Sequence, residues 1–144
     1  MDQFREEEHI GFLIRQVAHL SHQRFNQSLE KEGITAMQEG ILSFLNRHHG
    51  STQTQLKDYL LIKASSVTKL VDQLEDKGLL TRTAHPNDAR IKLLQLTSTG
   101  QNLQNHLWNI KISVEAEITQ NLTEDQRTAM LFSLQKMRKT LINL

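Results

Sequence analysis

Residues 65–100, SSVTKLVDQLEDKGLLTRTAHPNDARIKLLQLTSTG, hold this chain to a narrow set of folds. At about 3.6 residues per turn, Val67, Leu70, Val71 and Leu74 share one helix face, while Ser65, Thr68, Lys69, Asp72 and Asp76 turn the other way. Gly78 ends that helix. Two short strands follow, Leu79 to Thr83 and Ile91 to Leu96, around a turn from Ala84 to Ala89 that contains Pro86, Asn87 and Asp88. The start of the polar helix face carries hydroxyls and one lysine, which suit close approach to base edges and phosphates, and a helix start offers free N–H groups to an anion. The acidic residues lie toward its C-terminal half, so the N-terminal half would enter a groove deepest. A plain surface helix has the same pattern, and the hairpin separates the two readings. Arg82, His85, Arg90 and Lys92 sit on or around its loop, and a wing of this kind can place an arginine in a minor groove. Asp88 can instead hold the tip rigid through an ion pair with Arg90. The two roles are compatible if Asp88 only orients Arg90.

Pro86 is the single proline, so long helices are open to the rest of the chain. Three segments begin Thr-x-x-Gln, at Thr35, Thr52 and Thr123, and each fits a capping box that starts a helix. The first helix is expected from about Glu7 to Lys31, with Ile10, Leu13, Ile14, Val17, Phe25 and Leu29 as its stripe and Gly33 beyond its end. The second follows Thr35 and ends near Gly50; the third follows Thr52 and buries Leu56 and Leu60. The fourth covers roughly Ala64 to Lys77. Thr97 caps a fifth, reaching about Asn121, and a sixth follows Thr123 and buries Met130, Leu134, Met137 and Leu141. The fifth has apolar residues to spare: Leu103, Leu107, Ile110, Val114 and Ile118 form one stripe, and Trp108 and Ile112 lie off it. A helix apolar on more than one side needs more than one cover, supplied either by a second copy of the chain or by the first and sixth helices of the same chain.

The net charge of +1 does not advertise a polyanionic partner, but its distribution is uneven. Residues 57–92 hold seven Lys/Arg against five Asp/Glu, whereas residues 1–34 hold four against six. Without cysteine there is no disulfide, thiolate metal site or thiol switch. No apolar run approaches the roughly 18 residues of a membrane helix, and MDQFREEEH has no apolar core of a secretion signal. A cytoplasmic protein with no membrane partner is expected.

The pieces Val67-Thr68, Leu74-Glu75, Lys77-Gly78-Leu79, Arg82, Asp88-x-Arg90 and Leu96-Thr97-x-x-Gly100 stand in the order and spacing of the MarR-type transcriptional regulators, which the chain resembles over nearly its whole length. The resemblance implies a single mainly α domain. Residues 35–96 form a winged helix-turn-helix with a small β-hairpin wing, and 7–34 and 97–144 form the dimerisation helices. It implies a homodimeric repressor that binds a pseudo-palindromic operator in double-stranded DNA. Carried onto this chain, the contacts fall on Ser65, Ser66, Thr68 and Lys69 of the helix and on Arg90 of the wing, supported by Asp88. Lys63 departs from the small capping residue such proteins often have before that helix, and Lys57 from an alanine in the preceding one.

The family layout also implies release from DNA by a small aromatic or phenolic ligand, with His19, His22, Arg24 and Gln38 as polar groups and Phe25, Met37 and Phe44 as apolar walls. No cofactor or metal is expected: His48 and His49 project about 100° apart on a helix, and Glu6, Glu7, Glu8 and His9 read better as a solvated terminus. No nucleophile–base pair, P-loop or dinucleotide fingerprint points to an enzyme. The alternative function is a winged-helix module that binds another protein without reading DNA.

Overall fold

The computed structural model describes Arg5 and residues 8–144. Its elements are α1 (Ile10–Leu29), a 3₁₀ turn (Glu30–Glu32), α2 (Ala36–Arg47), α3 (Gln53–Leu60), α4 (Ala64–Asp76), β1 (Leu80–His85), β2 (Asp88–Leu96), α5 (Ser98–Thr119) and α6 (Glu124–Ile142). The two strands form one antiparallel hairpin, giving the expected mainly α winged helix-turn-helix. The chain divides into two compact units, Met1–Lys111 and Ile112–Leu144. None of the described helices is long and apolar enough to cross a membrane.

All three Thr-x-x-Gln boxes form. The hydroxyls of Thr35, Thr52 and Thr123 each accept the N–H three residues on at 3.2 Å, and the glutamine amide oxygens accept the threonine N–H groups at 2.9–3.0 Å. Each cap satisfies donors that a helix start would otherwise leave free and contributes about 1 kcal/mol. These boxes set where α2, α3 and α6 begin.

α2 runs through the centre of the first unit and buries Ile41, Leu42 and Leu45 completely. Around them pack Leu29 of α1, Leu56 of α3, Val67, Val71 and Leu74 of α4, Leu80 of β1, Leu94 of β2 and Leu107 of α5. A fully buried side chain of this size contributes roughly 1.5–3 kcal/mol, so this cluster holds α3 and α4 in place. The hairpin is pinned at its root. Leu94 donates to the Ser51 carbonyl at 2.7 Å, and Gly50 donates to the Leu94 carbonyl at 3.1 Å. Thr97 donates from its backbone to Leu79 at 3.1 Å and from its hydroxyl to Gly78 at 2.6 Å, while that hydroxyl accepts from Gly100. Gly100 sits so near the hairpin root that a Cβ there would stand 2.0 Å from the Leu79 carbonyl oxygen.

Some expectations need correction. The Glu7 start of the first helix, and with it Glu6 and Glu7 of the acidic cluster, lie outside the described residues. The C-terminal end falls at Leu29, where the chain tightens to a 3₁₀ turn before Gly33 at φ 66°. The strands extend beyond Thr83 and back past Ile91, leaving Pro86 and Asn87 between them, because the ladder continues to a His85–Asp88 pair after a register shift. The apolar stripe of α6 is not a buried one: Met130, Leu134 and Leu141 are exposed and Met137 is half-buried. Spacing identifies which residues share a face, but only an opposing surface buries them, and one copy of the second unit supplies none for this stripe.

Candidate nucleic-acid interface

α4 follows α3 after a turn in which Leu61 adopts the left-handed conformation at φ 55°. Such a conformation is uncommon for a residue other than glycine, and it redirects the chain within three residues. Lys63 precedes α4 in extended backbone and makes no side-chain cap. At the start of the first turn the Lys63 carbonyl accepts from Ser66 and Val67 at 3.1 Å. The divergence noted at Lys63 thus leaves this helix start without a side-chain acceptor.

Val67, Val71 and Leu74 are fully buried, so the opposite face is set outward. Ser65, Ser66, Thr68 and Lys69 are all exposed along it. Thr68 is tied down: its hydroxyl accepts from the Gln53 amide at 3.0 Å and donates to the Ala64 carbonyl at 3.1 Å. Gln53, Thr54, Lys57, Ala64, Val67 and Thr68 line a cleft of about 210 Å³ between α3 and α4. Gln53 and Thr54 were missed in the sequence because they occupy the helix start after the Thr52 cap and carry no motif of their own. The helical offset from Thr52 would have placed them beside α4 only once the turn at Leu61 was known.

The wing supplies the second part. Asn87 donates its backbone N–H to His85 Nδ1 at 3.0 Å across the tip. Asp88 accepts from Arg90 three times: the backbone N–H at 3.0 Å, Nε at 3.1 Å and an Nη at 3.1 Å. The paired oxygens face a planar fork, the geometry in which arginine and carboxylate bond best. Those bonds from Arg90, side chain first and backbone second, hold the Asp88 carboxyl below its usual range, and Asp88 in turn raises the Arg90 guanidinium. The Arg90 side chain remains 90% exposed, so it is oriented without being withdrawn from solvent. Lys92 is exposed nearby and His85 is half-buried. Arg82 departs from the expectation that it lies around the loop, because its guanidinium turns back onto Asp72 and Glu75 of α4.

The four residues expected around a small ligand do not form one group. His19 and His22 are exposed on α1, and Arg24 on the same helix donates to the Ser28 hydroxyl at 2.9 Å. Gln38 is buried; its oxygen closes the Thr35 cap and its amide donates to Gln73 of α4 at 3.0 Å. A different cavity, of about 340 Å³, lies between α2 and α5, lined by Ser43, Asn46, Arg47, Gln104, Asn105 and Trp108. Its Arg47 donates to the Tyr59 hydroxyl at 2.8 Å, and the buried Gln104 Oε1 has no hydrogen-bond partner among the described residues. The sequence offered no signal for this cavity, since its polar residues come from two helices distant in the chain. Among the described residues no three His, Asp or Glu side chains group as metal ligands.

Residues 32–91 match the MarR family. The chain is 30% identical over 138 residues to the multiple antibiotic resistance protein MarR of Salmonella typhimurium, an alignment covering 94% of this chain and 95% of that protein. A crystal structure of a mutant MarR from E. coli complexed with operator DNA superposes with a TM-score of 0.85 at 29% identity, covering 95% of this chain and 99% of that one. The transcriptional repressor CouR, bound to a 23-mer DNA duplex, shares the fold at a TM-score of 0.88 and 24% identity, covering 96% of this chain and 98% of that one.

Proposed function

This chain belongs to the MarR family and is a DNA-binding transcriptional regulator, and from that premise we propose that it works in the cytoplasm as a homodimeric repressor on a pseudo-palindromic operator. One observation carries the docking mode: α4 presents Ser65, Ser66, Thr68 and Lys69 outward from a fully buried backing. In this reading those four side chains enter the major groove, and Arg90, aimed by Asp88, enters the adjacent minor groove. The hydroxyls and lysine bond phosphates and base edges, and the arginine is drawn to the strongest negative potential on the duplex.

The dimer reading is supported separately by each unit. In the first, Ile10, Leu13, Ile14, Val17 and Leu20 are exposed along α1. In the second, Met130, Leu131, Phe132, Leu134, Leu141 and Ile142 are exposed on α6. Apolar surface on this scale marks an association site, and two-fold pairing would double the α4 contact at matching half-sites. Release by a small aromatic or phenolic acid is supported by the cavity between α2 and α5, where the Arg47 guanidinium and the Trp108 ring offer a cation and a stacking face. His19 and His22 on α1 are further candidate polar contacts, whereas Arg24 would respond only by giving up Ser28 and Gln38 only by giving up Gln73.

Selection of bound sequences from random duplexes tests this function. An inverted repeat with half-sites about one helical turn apart is the expected product. Enrichment of a lone half-site, or of nothing, would overturn the paired docking. Adding single-ring aromatic acids to the selected complex should then lower the bound fraction.

A further inference from the structure

Arg82 stands on β1 in register with Leu94 of β2, and Leu80 is in register with Leu96. Paired residues of an antiparallel ladder share a face, so Arg82 lies on the same side of the hairpin as the buried Leu80 and Leu94. A basic side chain on the core side of a strand has to find a partner close to the core. Arg82 does so on α4: one Nη donates to Glu75 Oε1 at 3.1 Å, and the other donates to Asp72 Oδ1. Asp72 and Glu75 are three residues apart on the helix, so one planar fork spans neighbouring turns. The Arg82 side chain is only 21% exposed, although its two partners are half open to solvent.

Among the described residues this is the outermost hydrogen-bonded link between wing and helix. Toward the root, the hairpin is held by Leu94 on Ser51 and by Thr97 on Leu79. Toward the tip, the side-chain hydrogen bonds made by His85, Asn87, Asp88 and Arg90 stay within the hairpin, among the described residues. The angle at which Arg90 leaves the molecule is therefore set, beyond the root, at Arg82. The same fork places a cation against two carboxylates on a helix that is to meet a polyanion.

We propose that Arg82 is a positioning residue for operator recognition: by bridging Asp72 and Glu75 it locks the wing to α4, so that Arg90 and the α4 face engage one duplex together. It rests on the wing reading given above. Arg82 touches no DNA in this scheme, so its loss acts through Arg90 and leaves the number of phosphate contacts on α4 unchanged.

A double-mutant cycle on the full-length protein separates the possibilities, with operator affinity measured by fluorescence anisotropy. Arg82→Ala is expected to weaken binding about tenfold, within the range of residues that act through coupling. Arg90→Ala should weaken it comparably in the parent protein but by much less in the Arg82→Ala background, because the wing is already unaligned there. Arg82→Lys should recover little, since an ammonium cannot span both carboxylates as a fork does. Fully additive losses or an unaffected Arg82→Ala would each overturn the proposal. If Arg90→Ala alone has no effect, the wing contact fails first and the coupling falls with it, a result distinct from additivity. Should Arg82→Ala not fold, the fork is opened from the other side with Asp72→Asn and Glu75→Gln, and the same non-additivity with Arg90→Ala decides.

Discussion

Gln53 donates from its side-chain amide to the hydroxyl of Thr68 at 3.0 Å, binding the first turn of α3 to the outward face of α4. The hydroxyl spends its single proton on the Ala64 carbonyl. With one lone pair taken by Gln53, what remains to Thr68 is one acceptor site. A phosphate oxygen is itself an acceptor and gains nothing there, whereas adenine N6 or cytosine N4 in the major groove can donate to it.

Replacing Thr68 with valine should therefore alter sequence preference at one position of each half-site, by about 1 kcal/mol, more than it alters affinity overall. A panel of duplexes substituted at every position would reveal this. An equal loss on every duplex would mean that the hydroxyl turns to a phosphate instead.

Lys69 is exposed on the same face but has no base-like geometry to offer; it is a point charge on a flexible stem. Lys69→Ala is expected to flatten the slope of log affinity against log salt by about 0.9 per half-site, the share of one phosphate from each protomer. An unchanged slope would remove Lys69 from the phosphate contacts.

At the wing, Arg90→Ala should weaken operator binding roughly tenfold while sedimentation still reports the parent's oligomeric state. Asp88→Ala should have a smaller effect in the same direction, because the guanidinium is kept but loses its orientation. Equal affinities for the parent and Arg90→Ala in a mobility-shift titration would contradict the assignment.

The Asp88 carboxyl is depressed below the usual 3.8 of an aspartate by its bonds from Arg90. A group whose folded value is lowered contributes above its unfolded value and loses that contribution as pH falls through the folded one. The wing pair should thus be intact at every pH above 3.8 and open only below it. Carboxyl carbon shifts followed by NMR should show Asp88 titrating below 3.8, the usual value of an aspartate. A midpoint at or above that value would show that the pair does not persist in solution.

Gly100→Ala tests the hairpin root. The added methyl would collide with the Leu79 carbonyl, and backbone cannot yield as a flexible side chain can. A loss of about 2–3 kcal/mol in urea unfolding is expected. A parent-like midpoint would mean that the start of α5 shifts freely against the hairpin.

Much of this architecture could be read along the chain because its signals are local. A Thr-x-x-Gln box needs only four residues, and those at Thr35, Thr52 and Thr123 form as read. The outward face of α4 follows from periodicity, and the Asp88-x-Arg90 bond from two neighbours on one strand. What depends on distant partners was less legible. Gln38 could be recognised as a cap, but its second bond, to Gln73, joins helices far apart in sequence. Arg82 reads in sequence with the loop cations, although its alternation with Leu80 puts it on the core side. Even that alternation does not say which carboxylates wait there. The stripe on α6 was visible as a stripe, but its cover depends on what faces it.

The capping boxes carry one more consequence. Their six hydrogen bonds join alcohols, amides and backbone groups, none of which changes protonation across ordinary pH or is appreciably shielded by dissolved ions. The corners where α2 and α3 begin are thus indifferent to conditions that disrupt contacts between charged groups. Brine strong enough to strip this regulator from its operator should leave these helix starts intact, so that they need not reform on dilution.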